Sequence, residues 1–82
     1  MAKAFQLGIY SEDKTIYEGQ ATFLTAYSVS GCLGVLADHA PLAAKLKPGE
    51  ITFKDISGKS AAIDAQAGGY LEVLRNKAMI LI

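Results

Sequence analysis

The stretch from Phe5 to Val29, FQLGIYSEDKTIYEGQATFLTAYSV, decides the fold class of this chain. In FQLGI, apolar side chains alternate with polar or small residues, and this period of two predicts a strand with one buried face. SEDK predicts a turn, because serine and aspartate side chains satisfy nearby backbone groups. TIYE then predicts a short second strand that Gly19 ends. Ala21–Val29 is dense in β-branched and aromatic residues and predicts a third strand.

Similar segments continue to the C-terminus. Alternation predicts strands at Ile51–Ile56, Ser60–Ala67, Tyr70–Leu74 and Ala78–Ile82, whereas Leu42–Leu46 is apolar on both faces and fits either a strand or a short helical turn. Glycine- or proline-marked turns recur about every ten residues, which favours an all-β sandwich or barrel. With 82 residues the chain is expected to form a single domain, residues 1–82.

Composition excludes several classes of function. Eight Lys and Arg balance eight Asp and Glu, so the chain has no basic footprint for nucleic acid. Aromatic residues make up 9% and tryptophan is absent, which disfavours a stacking platform for bases or sugars. Half of the residues, 51%, are hydrophobic, and a small neutral domain of this kind is expected to expose an apolar patch that binds a partner.

The sequence also lacks the signals of export and of membrane insertion. The first residues contain no apolar run long enough for a signal peptide, and no stretch approaches the roughly 20 apolar residues of a membrane span. We therefore expect no direct insertion into lipid. The single cysteine cannot form an internal disulfide, which is typical of a reducing compartment.

The segment GCLGVLADHAPLAAKLKPG, from Gly31 to Gly49, holds the only cysteine and the only histidine. A Cys32–His39 pair is one possible nucleophilic centre, but nothing else in the sequence converges on it. A metal site normally needs three or four ligands, so we expect no metal and no cofactor. Gly31-x-x-Gly34 lacks the remaining residues of a phosphate-binding loop. The other interpretation is a turn and an extended arm that dock on a partner.

This segment resembles the epsilon subunit of F-type ATP synthase, called delta in mitochondria. The family pattern G-x-L-G-[IV]-x-x-x-H-x-P-[LM], followed by Leu/Ile-Lys-Pro-Gly, is matched by Gly31, Leu33, Gly34, Val35, His39, Pro41, Leu42, Leu46, Lys47, Pro48 and Gly49. A second block, AGGYLEVLRNKAMIL, is similar to the family's Gly-Gly-[FIY]-[LA]-E-V, followed by an Asn, here Asn76, and a closing apolar strand. With FQLGIYSEDKTIYEG at the start, the resemblance covers nearly the whole chain.

The resemblance implies a sandwich of two antiparallel five-stranded sheets, here without the helical hairpin that usually follows it. It implies a non-catalytic subunit of the rotating central stalk, docked on the gamma subunit and the ring of c subunits. Such a subunit couples proton or sodium flow to ATP synthesis, peripherally on the cytoplasmic face of a bacterial inner membrane or the equivalent organelle membrane.

Matching positions assign the contacts. The resemblance implies gamma contacts at Ser11, His39, Leu42 and Ala44, and c-ring contacts in a turn formed by Ser30, Gly31, Cys32 and Leu33. It also implies structural turns at Gly34, Pro41, Pro48, Gly49, Gly68 and Gly69. The chain departs from the family at Cys32, where an acidic or polar residue is usual, and at Ala37–Asp38, where Pro-Gly is usual.

The helical hairpin carries the family's inhibitory contacts and, in some members, its nucleotide-sensing segment. Because this sequence stops at Ile82, we expect the chain to couple and assemble without inhibiting ATP hydrolysis and without binding ATP. The alternative to the stalk subunit is a free-standing β-sandwich module that binds a small ligand or saccharide, or a small Cys/His hydrolase.

Overall fold

The computed structural model describes residues 3–82, which form eight strands and no helix. The strands are β1 (Phe5–Ser11), β2 (Lys14–Ser28), β3 (Gly31–Val35), β4 (Leu42–Leu46), β5 (Gly49–Asp55), β6 (Ser60–Ala65), β7 (Gly69–Leu74) and β8 (Lys77–Leu81). The all-β prediction is confirmed. The segment for which the sequence allowed two conformations is a strand, β4.

Strand β2 is long enough to take part in both layers of the fold. Its first half pairs antiparallel with β1, from Lys14 opposite Ser11 to Ala21 opposite Phe5. Its second half pairs with β5 and β3. The change of partner falls at Ala21, which also lies opposite Asp55, and the β2–β5 register shifts between Ala21 and Phe23. One strand thus joins a five-stranded layer, in the order β2–β1–β8–β7–β4, to a four-stranded layer, in the order β3–β2–β5–β6, and the layers meet again where Leu46 of β4 lies opposite Ser28 of β2.

The pairing differs in two details from two antiparallel five-stranded sheets. The two layers share the continuous strand β2, so that all eight strands belong to one hydrogen-bonded sheet. In addition, β1 and β8 are parallel, with Gln6 opposite Lys77 and Tyr10 opposite Leu81. The first and last strands pair in this way without a hairpin, and because they are parallel the start of β1 and the end of β8 lie at opposite ends of the pair.

The apolar side chains that alternate along the strands meet in one core between the layers. Its members are Phe5, Leu7, Ile9, Ala21, Leu24, Ala26, Val35, Leu46, Ile51, Phe53, Ala65, Leu71, Val73, Ala78 and Ile80. The rings of Tyr17 on β2 and Phe53 on β5 connect the layers, with centroids 4.5 Å apart. The predicted buried face of Phe5, Leu7 and Ile9 is confirmed.

Several predicted boundaries are corrected by the structure. Gly19 does not end a strand, because β2 runs through it. Its lack of a side chain leaves room for Tyr17, whose hydroxyl would lie 2.7 Å from a Cβ at this position. Gly34 lies inside β3, opposite Thr25, and not in a turn. Strand β6 stops at Ala65 instead of Ala67.

Other turn predictions are confirmed. Arg75 and Asn76 both have positive φ, 52° and 59°, which is the geometry of a tight two-residue hairpin between β7 and β8. Gly68 and Gly69 mark a close approach of backbones, as the sequence predicted: a Cβ on Gly68 would collide with the carbonyl oxygen of Leu46, and one on Gly69 with that of Leu81.

Candidate functional site

The hairpin between β2 and β3 is a rigid, exposed projection. Its turn consists of Val29 and Ser30. The buried hydroxyl of Ser28 donates to the carbonyl oxygen of Gly31 at 2.8 Å and accepts from the backbone amide of Ser30 at 3.1 Å. The Val29 amide also donates to the carbonyl of Lys45 at 3.1 Å. The hairpin is therefore tied internally and to β4, although Val29 itself is 63% exposed.

The four residues assigned to the c-ring lie at this hairpin but not all in its turn. Ser30 is in the turn, whereas Gly31, Cys32 and Leu33 begin strand β3. Cys32 is exposed opposite Tyr27, and Leu33 packs partly against the core. The hairpin thus presents Ser30, Gly31 and Cys32 to solvent.

The loop from Leu36 to Pro41 holds His39 at the opposite end of the molecule. Asp38, with a positive φ of 61°, donates its amide to the Asn76 side chain at 2.7 Å, and Asn76 in turn donates to the Ala4 carbonyl at 3.0 Å. His39 Nδ1 lies 2.7 Å from the Ala40 carbonyl oxygen. Sequence reasoning missed Asn76 as the anchor of this loop. Its match to the second family block was the available signal.

The residues assigned to gamma do not form one cluster. Ser11 ends β1 beside Lys14, at the end of the five-stranded layer where Ile82 donates its amide to Tyr10. His39 lies at the other end, next to the Asn76 turn. The length of β8, about 16 Å at about 3.3 Å per residue, separates these ends. A partner that touches both must lie along the layer.

Leu42 and Ala44 face the core at the border of this layer. Leu42 lies opposite the buried Val73, and Ala44 opposite the buried Leu71. Both are half-buried, and Ala43 between them points outward. The outward positions of β4 are therefore the ones that can reach a partner without disturbing the core.

The outer side of β4, β7 and β8 carries an exposed apolar face. Tyr70, Leu74 and Leu81 are 60%, 47% and 48% exposed, and Met79 and Ala43 continue the surface. A shallow groove of about 250 Å³ runs over it between Ala43, Tyr70, Met79 and Leu81, with Glu72 also in its lining. The expected apolar patch is present, but it is built mainly from β7 and β8. The sequence signal for this face is the alternation in YLEVL, which places Tyr70, Glu72 and Leu74 on one side of β7.

A polar contact lies next to this apolar face on β1 and β2. The Tyr10 hydroxyl donates to Glu18 Oε2 at 2.7 Å. This bond, desolvation and the negative charge of Glu18 together raise the pKa of Tyr10 above its ordinary value. Both side chains lie on the solvent side, so this polar pair forms the border of the apolar face at β1.

The structure does not assemble a Cys–His centre. Cys32 lies near the β2–β3 turn, and His39 lies four residues beyond the far end of β3, with its ring directed to a backbone carbonyl. Among residues 3–82, no group of three or more His, Cys, Asp and Glu side chains is positioned to hold a metal. The absence of metal and cofactor remains a prediction. Nor does any helix in this range have the length and apolar character needed to cross a membrane.

Comparison with protein families matches residues 4–82 to the delta/epsilon chain of ATP synthase, β-sandwich domain. The "ATP synthase epsilon chain" of Dichelobacter nodosus is 33% identical over 99% of this chain, and the sodium ion specific epsilon chain of Propionigenium modestum is 35% identical over 94%. The chain spans only 56% and 55% of these relatives. It covers 89% of the epsilon chain of Chlorobium limicola, with 37% identity.

Solved structures show the same fold. A chain of the Euglena gracilis mitochondrial ATP synthase, in a structure of its OSCP, F1 and c-ring, superimposes with a TM-score of 0.87 and 24% identity, over 99% of this chain and 52% of that one. A chain from the central stalk and c-ring of the Tetrahymena thermophila mitochondrial enzyme gives 0.77 and 16%, over 98% and 63%. At these identities the likeness concerns the fold.

Proposed function

The chain belongs to the delta/epsilon family of ATP synthase chains, whose β-sandwich domain it matches, and we propose that it works as a subunit of the central stalk of an F-type ATP synthase. It docks on the gamma subunit and on the c-ring, and it transmits rotation between ion flow and ATP synthesis. The observation that carries this proposal is the family match over residues 4–82, together with relatives named epsilon chain.

We propose that the β2–β3 hairpin contacts the c-ring. The hydrogen bonds of Ser28 and the bond from Val29 to Lys45 keep this projection stiff. A stiff contact suits a rotor, because a flexible one would absorb torque instead of passing it on. Cys32 stands where the family usually has an acidic or polar residue, which makes this a largely apolar contact with Val29 at its tip.

The gamma subunit is proposed to lie along the five-stranded layer. This placement is the one that reaches both Ser11 and His39, which are at opposite ends of the layer. Between these ends runs the apolar face of Tyr70, Leu74, Met79 and Leu81. Burying this face would supply the binding free energy, at roughly 25 cal/mol per Å² of apolar surface.

The subunit has a non-catalytic role in this proposal. Its described residues offer rigid surfaces and no converging nucleophile, base and acid. The same proposal places it peripherally at the membrane, on the cytoplasmic side in a bacterium, through the c-ring and not through lipid. The family match favours the stalk subunit over a saccharide-binding module. The positions of Cys32 and His39 at different ends of the molecule disfavour the hydrolase.

The gamma contact is tested with Leu81→Glu. Leu81 is half-exposed on the apolar face, so a charge there is tolerated by the fold but must be desolvated on docking. We expect affinity for purified gamma subunit to fall at least tenfold. The matched control is Phe23→Glu, on the outer side of the four-stranded layer, where 40% of the side chain is exposed.

Equal binding by the parent and Leu81→Glu would exclude this face. A loss confined to Phe23→Glu would move the gamma contact to the opposite layer. Thermal unfolding of both variants checks that either loss of binding is not a loss of folding.

A further inference from the structure

Strand β6 is an open edge of the four-stranded layer. Among the described residues it pairs only with β5, from Lys54 opposite Ser60 to Gly49 opposite Ala65, with no shift in register. Asp64 is the one charged residue among its six residues, SAAIDA, which contain no proline, no lysine and no bulge. These are the usual features that keep an edge from pairing with another strand. The edge is therefore free to accept one.

The backbone groups that face outward along β6 follow from the turn before it. The amide of Asp55 donates to the carbonyl of Lys59 at 2.9 Å, so these two residues occupy a hydrogen-bonding position of the ladder, although the Lys59 amide itself donates to Asp55 Oδ1. In an antiparallel ladder, bonded and non-bonded pairs alternate. Ala61 and Ile63 hence bond to β5, whereas Ser60, Ala62 and Asp64 direct their amides and carbonyls away from the sheet.

We propose that β6 pairs antiparallel with β6 of a second copy of this chain, with Ala62 opposite Ala62 across a twofold axis. In this register, Ser60 lies opposite Asp64 of the second copy and Asp64 opposite its Ser60. The three outward-facing residues of each strand then meet one another, which makes six new backbone hydrogen bonds. The four-stranded layers of two copies become one continuous eight-stranded sheet.

The charges across this sheet favour the same register. On the solvent side of one copy, Glu50 lies opposite Asp64, and Lys54 lies opposite Ser60. Two like charges directly opposite each other are destabilising in a single copy. In the dimer, one row of side chains crosses four strands: Glu50 and Asp64 of the first copy are followed by Ser60 and Lys54 of the second copy. A long lysine side chain can reach over serine, so each acidic pair gains a cation.

The core side of the strand fits as well. Ile63 is half-buried at the margin of the core, and Ala61 is exposed. The twofold register places Ile63 opposite Ala61 of the second copy, so each copy covers the exposed part of the other's isoleucine. With zero net charge the chain opposes association weakly. The contact is small, so the dimer is expected to be weak and concentration-dependent.

Sedimentation equilibrium of the purified chain from about 10 µM to 1 mM tests the proposal. We expect the mass average to rise toward twice the monomer mass. Ala62→Pro removes an amide that points to the open edge while sparing the bonds to β5, and it should abolish the rise. Asp64→Lys should also abolish it, since a lysine there meets Lys54 of the second copy.

The second variant separates pairing from folding. Asp64→Lys replaces the repulsion from Glu50 by an attraction, so thermal stability of the monomer should stay equal or increase while dimerisation is lost. Adding Lys54→Glu to Asp64→Lys restores opposite charges across the row and should restore the dimer. A chain that stays monomeric at 1 mM, a dimer unaffected by Asp64→Lys, or pairing of β6 only with a strand of the gamma subunit would each overturn the proposal.

Discussion

Gly68 holds the turn between β6 and β7 in a conformation that only glycine adopts easily. Its φ is +76°, and a Cβ would collide with the carbonyl oxygen of Leu46 on β4. Gly68→Ala must therefore move backbone as well as accept an unfavourable φ, which alone costs about 1–2 kcal/mol. We predict a loss of at least that size in the free energy of unfolding, measured by urea denaturation.

Gly58 is the matched control. It also has positive φ, +89°, but a Cβ there meets no atom within 4 Å. Gly58→Ala should therefore cost less than Gly68→Ala. Equal losses in the two variants would mean that the contact with Leu46 contributes nothing.

Asp55 makes the β5–β6 turn sensitive to acid. Its Oδ1 accepts hydrogen bonds from the Ser57 hydroxyl at 2.6 Å, the Ser57 amide at 2.9 Å and the Lys59 amide at 3.0 Å. The Ser57 hydroxyl does most to lower the pKa of Asp55 below its ordinary value of 3.8. Because the pKa is lower in the folded state, this stabilisation is complete above that value and disappears as pH falls through the folded-state pKa.

Asp55→Asn keeps an acceptor oxygen but cannot take up a proton. We predict that the parent loses stability on acidification below about pH 4 and that the variant loses less over the same interval. Denaturant midpoints measured at several pH values compare the two slopes. Identical slopes would show that other carboxylates account for the acid sensitivity.

At the scale of single strands, periodicity predicted where strands occur better than where they end. The alternation of FQLGI predicted both the strand and its buried face, because each inward residue lies opposite an apolar neighbour. Gly19 misled the prediction, because in this sequence glycine leaves space for the Tyr17 ring instead of stopping the strand. Such a role depends on a neighbour's rotamer, which local sequence does not specify.

The local sequence of β4 does not show which of its residues point outward. LAAKL is apolar on both faces, so its pattern fixes neither the conformation nor the face that points to the core. The answer comes from β7, whose buried Leu71 and Val73 lie opposite Ala44 and Leu42. The pairing of β4 with the distant strand β7 therefore determines which residues of β4 face the core and which face a partner.

The β2–β3 hairpin carries the only cysteine, which permits a direct test of the proposed c-ring contact. Cys32 is exposed and can be labelled with a photoreactive maleimide without any substitution. In the assembled enzyme we predict cross-links from Cys32 to the c subunit. The control is Cys32→Ser combined with Phe23→Cys, which moves the label to the outer face of β2 and away from the turn.

If the label at Cys32 cross-links only to subunits of the catalytic head, the hairpin faces away from the c-ring and the proposed contact is wrong. Cross-linking of both labels to the c subunit with equal yield would show that the reaction does not report proximity.

On the scale of the whole molecule, the sequence predicted one all-β domain and the family, while the connection of its layers required the structure. Three blocks in order identify the family, since each is tied to a turn or a strand that the fold needs. The parallel pairing of β1 with β8 and the continuous β2 depend on contacts between distant residues. The separation of Ser11 from His39 follows from that topology, and the residues around each of them do not predict it.

Isolating this chain together with its partners tests whether it completes the rotor of an F-type ATP synthase. The chain would carry an affinity tag, be purified from detergent-solubilised membranes of its source cells, and be quantified together with the retained subunits by mass spectrometry. We predict gamma and c subunits in fixed ratio to one copy of this chain, and a lower yield of gamma with a Leu81→Glu chain that still folds. Recovery of the folded chain without gamma and c subunits, under conditions that preserve the rest of the enzyme, would mean that this chain is not part of the rotor.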